Sequence, residues 1–181
     1  MKAIFLDRDG VINRYPGDTK YVTSVKDFRF LPGAKQAIAR LHQAGFRIFV
    51  ISNQAGVGKG IYSRKELDNI TRKMLLGIRS AGGNIDKVYY CTHRKEENCS
   101  CRKPQTGMLK SARREYQLDL KKAIFIGDTI RDVHTARNAG CESYLVLCGK
   151  EKTANRKNWQ IQPDKVFANL RKAAGFILSS L

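Results

Sequence analysis

The stretch KAIFLDRDG, residues 2–10, is an apolar run that ends abruptly in two acids and a glycine. An apolar run of this length is typical of a buried strand, and Gly10 allows the backbone to turn away sharply after it. Because Asp7 and Asp9 stand two residues apart, extended geometry directs both carboxylates to the same side. Such a pair repels unless a cation or a shared proton compensates it. On its own, the stretch predicts a strand that ends in a metal-binding turn.

Further apolar runs follow along the chain, with stretches of helical period between them. The predicted strands are Lys2–Leu6, Arg47–Ile51, Lys87–Tyr90, Ala123–Ile126 and Ser143–Leu147. The predicted helices are Pro32–Ala44, Ser63–Ser80, Thr106–Tyr116, Ile130–Asn138 and a C-terminal segment of about 164–178. Strands that alternate with helices predict an α/β fold with a mainly parallel sheet covered on both faces. We expect one domain over residues 1–181, with a polar surface connection at 149–162.

Polar residues follow three of these strands, where an open parallel sheet binds its ligands. They are Asp7, Asp9, Ser52, Asn53, Gln54 and Asp128. Asp128 is placed to complete a Mg²⁺ site with Asp7, since Mg²⁺ prefers a few carboxylates together with water and phosphate oxygens. One acid of the first pair could then attack phosphorus, while the other protonates the leaving oxygen. The hydroxyl and amides after the second strand could hold a phosphate oxygen.

A cluster of soft metal ligands lies in a loop at residues 91–103. It has the spacing C-x-H-x5-C-x-C, and its members are Cys91, His93, Cys99 and Cys101. Such a set fills a tetrahedral Zn²⁺ site completely, so this zinc would be structural. Directly after it, Lys103 can pair with the nucleophile, and Arg102 can fork onto a phosphate or sugar oxygen. Asp132 could fix Lys103 or contact a metal-bound water, with an exposed helix position as the alternative.

Composition limits the class of protein. The chain has 181 residues with 42% apolar content, and 34 Lys and Arg against 16 Asp and Glu give a net charge of +18. No apolar run is long enough for a membrane span or a secretory signal, so we expect a cytoplasmic protein with no membrane partner. The cations are spread along the chain, which favours a solvated basic surface over a nucleic-acid tail. An odd number of cysteines argues against a disulfide framework.

The segment AGVGKG, residues 55–60, approaches a phosphate-binding P-loop without matching it. Gly60 stands where the motif needs a Ser or Thr to hold Mg²⁺. We therefore reject nucleotide binding through this segment and predict a flexible loop.

Taken together, these segments resemble the haloacid dehalogenase superfamily of phosphatases. The motifs that carry the resemblance are Asp7–Asn13, Ser52-Asn53-Gln54, the cysteine and histidine cluster with Arg102-Lys103-Pro104, and Gly127-Asp128. They are similar to those of the D-glycero-D-manno-heptose 1,7-bisphosphate 7-phosphatases and, nearly as much, to those of the histidinol-phosphate phosphatases. The resemblance implies a Rossmann-like fold without a large cap domain and hydrolysis of a small phosphorylated metabolite.

The resemblance also implies roles for individual residues. Asp7 would be the nucleophile and Asp9 the general acid and base. Mg²⁺ would be held by the Asp7 carboxylate, the Asp9 backbone carbonyl and the Asp128 carboxylate. Ser52, Asn53, Arg102 and Lys103 would contact substrate phosphate or sugar, and Tyr21 would match the tyrosine of the family's loop. Gln54 joins this predicted set because its amide follows the second strand.

Two departures from the family pattern bear on the leaving group. The stretch Arg14–Tyr21 is longer than the loop expected there, and Thr129 stands where many heptose enzymes have a lysine.

Two alternatives remain open at this point. Histidinol phosphate is a cationic substrate, and the basic Arg102, Lys103 and Lys59 favour a doubly anionic heptose bisphosphate over it. The alternative from another class is a basic protein, stabilised by zinc, that binds nucleic acid or processes DNA ends. The aromatic stacking platform expected of such a protein is missing from the sequence, so we expect no nucleic-acid partner. We expect a monomer.

Overall fold

The sheet is the centre of the structure, a computed structural model that describes residues 2–181. Its six strands lie in the order β3-β2-β1-β4-β5-β6. They are β1 (Ala3–Leu6), β2 (Arg47–Asn53), β3 (Lys87–Cys91), β4 (Ile124–Gly127), β5 (Glu142–Val146) and β6 (Lys165–Phe167). Every neighbouring pair is parallel. The predicted α/β fold is confirmed, and β1 occupies the middle of the sheet.

Helices cover both faces of the sheet. They are α1 (Ala34–Gln43), α2 (Ala55–Gly58), α3 (Arg64–Arg79), α4 (Gly107–Tyr116), α5 (Ile130–Ala139) and α6 (Leu170–Ser179). Alternate residues of β1 point to opposite faces: Ile4 and Leu6 pack in the cluster with α1, α3 and α6, and Phe5 packs in the cluster with α4. Among residues 2–181, no helix is both long and apolar enough to cross a bilayer.

Three predictions about connecting segments were wrong. The C-terminal helix begins at Leu170 rather than near residue 164, because Val166 pairs with Leu145 and extends the sheet as β6. The segment at 149–162 is not wholly a surface connection, since Trp159 is buried against β5 and α5. The segment at 55–60 contains the short helix α2 in place of a flexible loop.

The corrected start of α6 gives a stability prediction. Asn169 accepts a hydrogen bond from the Lys172 amide at 3.1 Å and so caps the helix. Replacing Asn169 with Ala should lower the free energy of unfolding by about 1 kcal/mol in a urea titration, the usual loss for such a cap. Ser179→Ala, at the exposed end of the same helix, is the matched control and should change it little. Equal effects of the two variants would contradict this boundary.

Candidate active site

The cavity of interest lies at the carboxyl end of β1, between the ends of β2 and β4. Leu6 is paired with both Val50 and Ile126, and the next amide, that of Asp7, still donates to the Ile126 carbonyl at 3.0 Å. Asp7 therefore emerges where the chain order of the strands reverses, the usual ligand crevice of such sheets. The cavity has a volume of about 470 Å³ and is lined by, among others, Asp7, Asp9, Ser52, Asn53, Lys103 and Asp128.

Lys103 is the cation at the floor of this cavity. Its Nζ lies 2.8 Å from Asp7 Oδ2 and 2.6 Å from Asp132 Oδ1, and only 3% of the residue is exposed. Burial acts to lower the pKa of Lys103, but the Asp132 and Asp7 carboxylates outweigh it and raise the pKa overall. The ammonium therefore stays charged beside Asp7, and Asp132 fixes it in place, which was one of the two roles predicted for Asp132.

The backbone of Lys103 is tied to the end of β2 by Asn53. Asn53 Oδ1 accepts from the Lys103 amide at 3.0 Å, and Asn53 Nδ2 donates to the Lys103 carbonyl at 3.2 Å. On β3, Cys91 is paired with the same Asn53. The loop between Cys91 and Lys103 thus begins and ends next to the same residue, Asn53. The side-chain amide that we expected to contact substrate is engaged in holding this loop.

Three carboxylates, of Asp7, Asp128 and Asp132, have oxygens within 4.8 Å of one another. Burial raises the pKa of Asp7 to about 6 despite the opposing effect of Lys103. Burial, followed by the neighbouring Asp132 and Asp7, raises the pKa of Asp128 well above its usual value. Asp7 and Asp128 thus resist ionisation, although Lys103 lies beside them. A divalent cation fits such a site, because it compensates the charge of both carboxylates.

The chain leaves little room around Asp128. A side chain at Gly10 or at Gly149 would collide with the Asp128 carboxylate, which explains the glycine at the end of the opening motif. Asp132 has both oxygens engaged: Oδ1 pairs with Lys103, and Oδ2 accepts from the amide and hydroxyl of Thr129 at 3.1 and 2.7 Å. Asp7 is engaged at both oxygens as well, by the Arg8 amide at 2.7 Å and by Lys103 at 2.8 Å. The assignment of Mg²⁺ to Asp7 and Asp128 therefore stays a prediction.

The Asp9 carboxylate lies outside this cluster and makes its own contacts. Arg8 pairs with it through Nη2 at 3.0 Å, Asn13 Nδ2 donates to it at 2.8 Å, and Gln54 Nε2 donates to it at 2.9 Å. The predicted part of Asp9 in Mg²⁺ binding concerns its backbone carbonyl and stays a prediction. Gln54 was expected to contact substrate, but it is 1% exposed and its side chain bonds within the protein.

The walls of the cavity, around the acidic cluster and Asp9, carry more cations than acids, Asp18 and Glu151 being the acids there, and the sequence predicted only some of these cations. Besides Lys103, the cations that line it are Lys20, Lys59, Arg102, Arg131 and Lys150. Tyr21 also lines it, with Lys59 Nζ 6.0 Å from the centre of its ring. Lys150 reaches Asp18 at 2.7 Å and so joins two loops at the mouth. Lys150 follows β5, and its place after a predicted strand was the sequence signal for it.

The predicted zinc ligands come together in the loop that carries Lys103. The Sγ atoms of Cys91 and Cys99 lie 3.5 Å apart, those of Cys99 and Cys101 lie 3.4 Å apart, and His93 Nδ1 lies 3.2 Å from Cys101 Sγ. Ligands at the edges of a tetrahedron around Zn²⁺ are separated by about 3.5–3.8 Å. These distances, together with 3.7 Å between Cys91 Sγ and His93 Nδ1, lie close to that range. All three cysteines are free thiols. The residues therefore fit a closed tetrahedral ion.

The raised pKa of Asp7 gives a prediction about stability and pH. In magnesium-free buffer, the wild type should lose stability relative to Asp7→Asn as the pH rises. The pKa of Asp7 in the folded protein, about 6, lies above the reference value of 3.8. The protonated Asp7 therefore contributes fully to the free energy of unfolding below about pH 4, and this contribution is lost as the pH passes about 6. Urea titrations should show a change on the order of 3 kcal/mol in the difference between the two proteins.

Mg²⁺ added at neutral pH should restore stability to the wild type and leave Asp7→Asn unaffected. A difference between the two proteins that stays constant across this pH range would contradict the assignment of Asp7 as a buried acid in need of a cation.

Comparisons with known proteins agree with this geometry. The chain is 39% identical over 149 residues to the D-glycero-beta-D-manno-heptose-1,7-bisphosphate 7-phosphatase of Bordetella bronchiseptica, with 82% of each protein covered. It is 39% identical over 151 residues to the D-glycero-alpha-D-manno-heptose-1,7-bisphosphate 7-phosphatase of Campylobacter jejuni, with 83% of this chain and 84% of that protein covered.

A solved structure gives the same result. The D,D-heptose 1,7-bisphosphate phosphatase from B. bronchiseptica, in a crystal structure with magnesium and phosphate, matches with a TM-score of 0.94, 35% identity and 100% of both chains covered. A profile of the HAD-hydrolase-like family matches residues 100–173. The chain therefore belongs to the haloacid dehalogenase-like hydrolases, within the family of the heptose 1,7-bisphosphate 7-phosphatases.

Proposed function

We propose that this chain hydrolyses the 7-phosphate of D-glycero-D-manno-heptose 1,7-bisphosphate through an aspartyl-phosphate on Asp7. The observation that carries the proposal is the contact of Asp7 Oδ2 with the buried Lys103 ammonium at 2.8 Å, at the floor of a cavity with basic walls. A carboxylate held beside a fixed cation is placed to attack a phosphoryl group whose oxygens that cation attracts. The names of the relatives support the choice of substrate.

The reaction would proceed in two steps. Asp7 forms a bond to phosphorus, the bond from phosphorus to the sugar oxygen breaks, and Asp9 gives that oxygen its proton, so the sugar leaves as an alcohol. Water then attacks the phosphoryl group and gives a proton to Asp9, the bond to Asp7 breaks, and inorganic phosphate leaves. Throughout both steps, Lys103 and the hydroxyl of Ser52 would hold the phosphoryl oxygens.

Two metal ions would assist Asp7, Asp9 and Lys103 in this reaction. Asp7, Asp128 and the Asp9 carbonyl would hold Mg²⁺, which supplies positive charge to the phosphoryl oxygens when bound. Cys91 and its three partners would hold a structural Zn²⁺.

The charge of the cavity favours a bisphosphate over the alternative substrates. Lys59, Arg102 and Arg131 stand on its walls with Lys20 and Lys150, against the acids Asp18 and Glu151. This excess of cations would attract a second phosphate and repel the ammonium of histidinol phosphate. The supply of heptose for bacterial surface polysaccharide, in the cytoplasm and by a monomer, is the setting that we propose for this activity.

Phosphate release from a panel of substrates tests the proposal. With Mg²⁺, the heptose bisphosphate should be turned over at least tenfold more efficiently, by kcat/KM, than histidinol phosphate, because only the former presents two anionic groups to the basic walls. Asp7→Asn should lose activity by a factor on the order of 10³ or more. Faster cleavage of histidinol phosphate, or full activity of Asp7→Asn, would contradict the proposal.

The zinc loop gives a second prediction. Cys101→Ser should lose bound zinc, measured by atomic emission of the purified protein, and should lose most of its activity because Lys103 is no longer held beside Asp7. Cys141→Ala removes a buried cysteine outside the cluster and is the matched control, which should keep both. Zinc-free protein with full activity would show that the loop positions Lys103 without a metal.

A further inference from the structure

Gln54 makes an unusually complete set of contacts behind the cavity. Its Oε1 accepts from Arg8 Nη2 at 3.1 Å and from the Tyr62 hydroxyl at 2.5 Å. Its Nε2 donates to Asp9 Oδ2 at 2.9 Å and to Ser52 Oγ at 3.1 Å. Both hydrogens and both lone pairs of the amide are used, so every hydrogen-bonding position of this side chain is filled.

These contacts allow only one orientation of the Gln54 amide. Arg8 is fully buried at 0% exposure, and its guanidinium can donate but cannot accept. A flipped amide would direct its own hydrogens at Arg8 and its oxygen at the Asp9 carboxylate. The hydrogen bonds of Gln54 with Arg8 and with Asp9 would both be lost, and the amide oxygen would repel the carboxylate. The Gln54 amine group must therefore face Asp9.

We propose that Gln54 and Tyr62 are positioning residues for Asp9, which orient its carboxylate toward the leaving oxygen of the substrate. The inference rests on the proposed function, in which Asp9 is the general acid and base. Neither residue lines the cavity, whereas Asp9 does, and the side chain of Asp9 is 21% exposed. Arg8 and Gln54 hold the inner side of the Asp9 carboxylate, and the exposed part is left for the substrate.

The same arrangement gives the segment at 55–60 a function. The ring of Tyr62 packs with that of Tyr21 at 6.3 Å between centroids, and a side chain at Gly56 would collide with both rings. The glycine-rich segment therefore makes room for Tyr62 and does not bind phosphate as a P-loop. Burial, the largest influence, raises the pKa of Tyr62 to about 12, so its hydroxyl keeps the proton that it donates to Gln54.

Tyr62→Phe is the test, because it removes one hydroxyl and keeps the ring. The variant should lower kcat/KM on the heptose bisphosphate, which reports the steps up to formation of the aspartyl-phosphate, about 5- to 10-fold, the usual effect of one lost hydrogen bond. With p-nitrophenyl phosphate, whose leaving group needs no proton in that step, kcat/KM should change less than about 2-fold. Gln54→Met, which removes the contacts to Asp9 and to Ser52 together, should lose activity on both substrates, and more on the heptose bisphosphate. Tyr89→Phe, which loses a hydroxyl bonded to Glu115, is the matched control and should keep wild-type kinetics.

A second measurement does not depend on the aryl substrate. If Tyr62 acts through Asp9, the Tyr62→Phe change should have no further effect on the heptose bisphosphate in an Asp9→Asn background. Equal losses of kcat/KM on both substrates, additive losses in the double variant, or a raised kcat/KM would each overturn the inference. A wild type that hydrolyses no phosphate ester would instead overturn the proposed function.

Discussion

The buried ion pair of Lys103 with Asp7 and Asp132 is the constraint on which the site depends. A charged amine removed from water is stable only where carboxylates face it, and loss of one partner of such a pair typically costs about 3–5 kcal/mol. The fold meets this demand by bringing together the ends of β1 and β4 and the loop after β3. The Asp7 and Asp132 carboxylates keep Lys103 charged against the effect of burial, and burial leaves Asp7 in need of a further cation. One electrostatic condition thus accounts for the pairing of Asp7 with its lysine and for the metal binding that we propose for Asp7.

The metal-ligand loop is best understood as the support of that lysine. Asn53 binds the Lys103 backbone at one end and is paired with Cys91 at the other. Between these two points the loop is exposed and has few apolar contacts of its own. Cross-linking by a closed tetrahedral ion would stabilise such a segment where a hydrophobic core cannot. The side chain of Asn53 would in this way connect the metal-binding loop at the rim of the cavity to Lys103 at its floor.

The sequence was sufficient for the parts of the site that follow strand ends. Asp7, Ser52 and Asp128 could be predicted because the carboxyl ends of parallel strands meet at one edge. The inward position of Gln54 could not be predicted, because it depends on Arg8, which lies between two acids and reads as a surface residue. The β6 strand was missed for a different reason: three residues are too short to separate a strand period from a helical one.

Trapping of the phosphorylated residue tests the central claim most directly. Enzyme that is turning over the heptose bisphosphate is quenched in acid and reduced with borohydride, which converts an aspartyl-phosphate into homoserine. We predict homoserine at residue 7 in peptide mass spectra, and none in Asp7→Asn treated in the same way. Steady release of phosphate without modification of residue 7, or homoserine at another aspartate, would contradict the account.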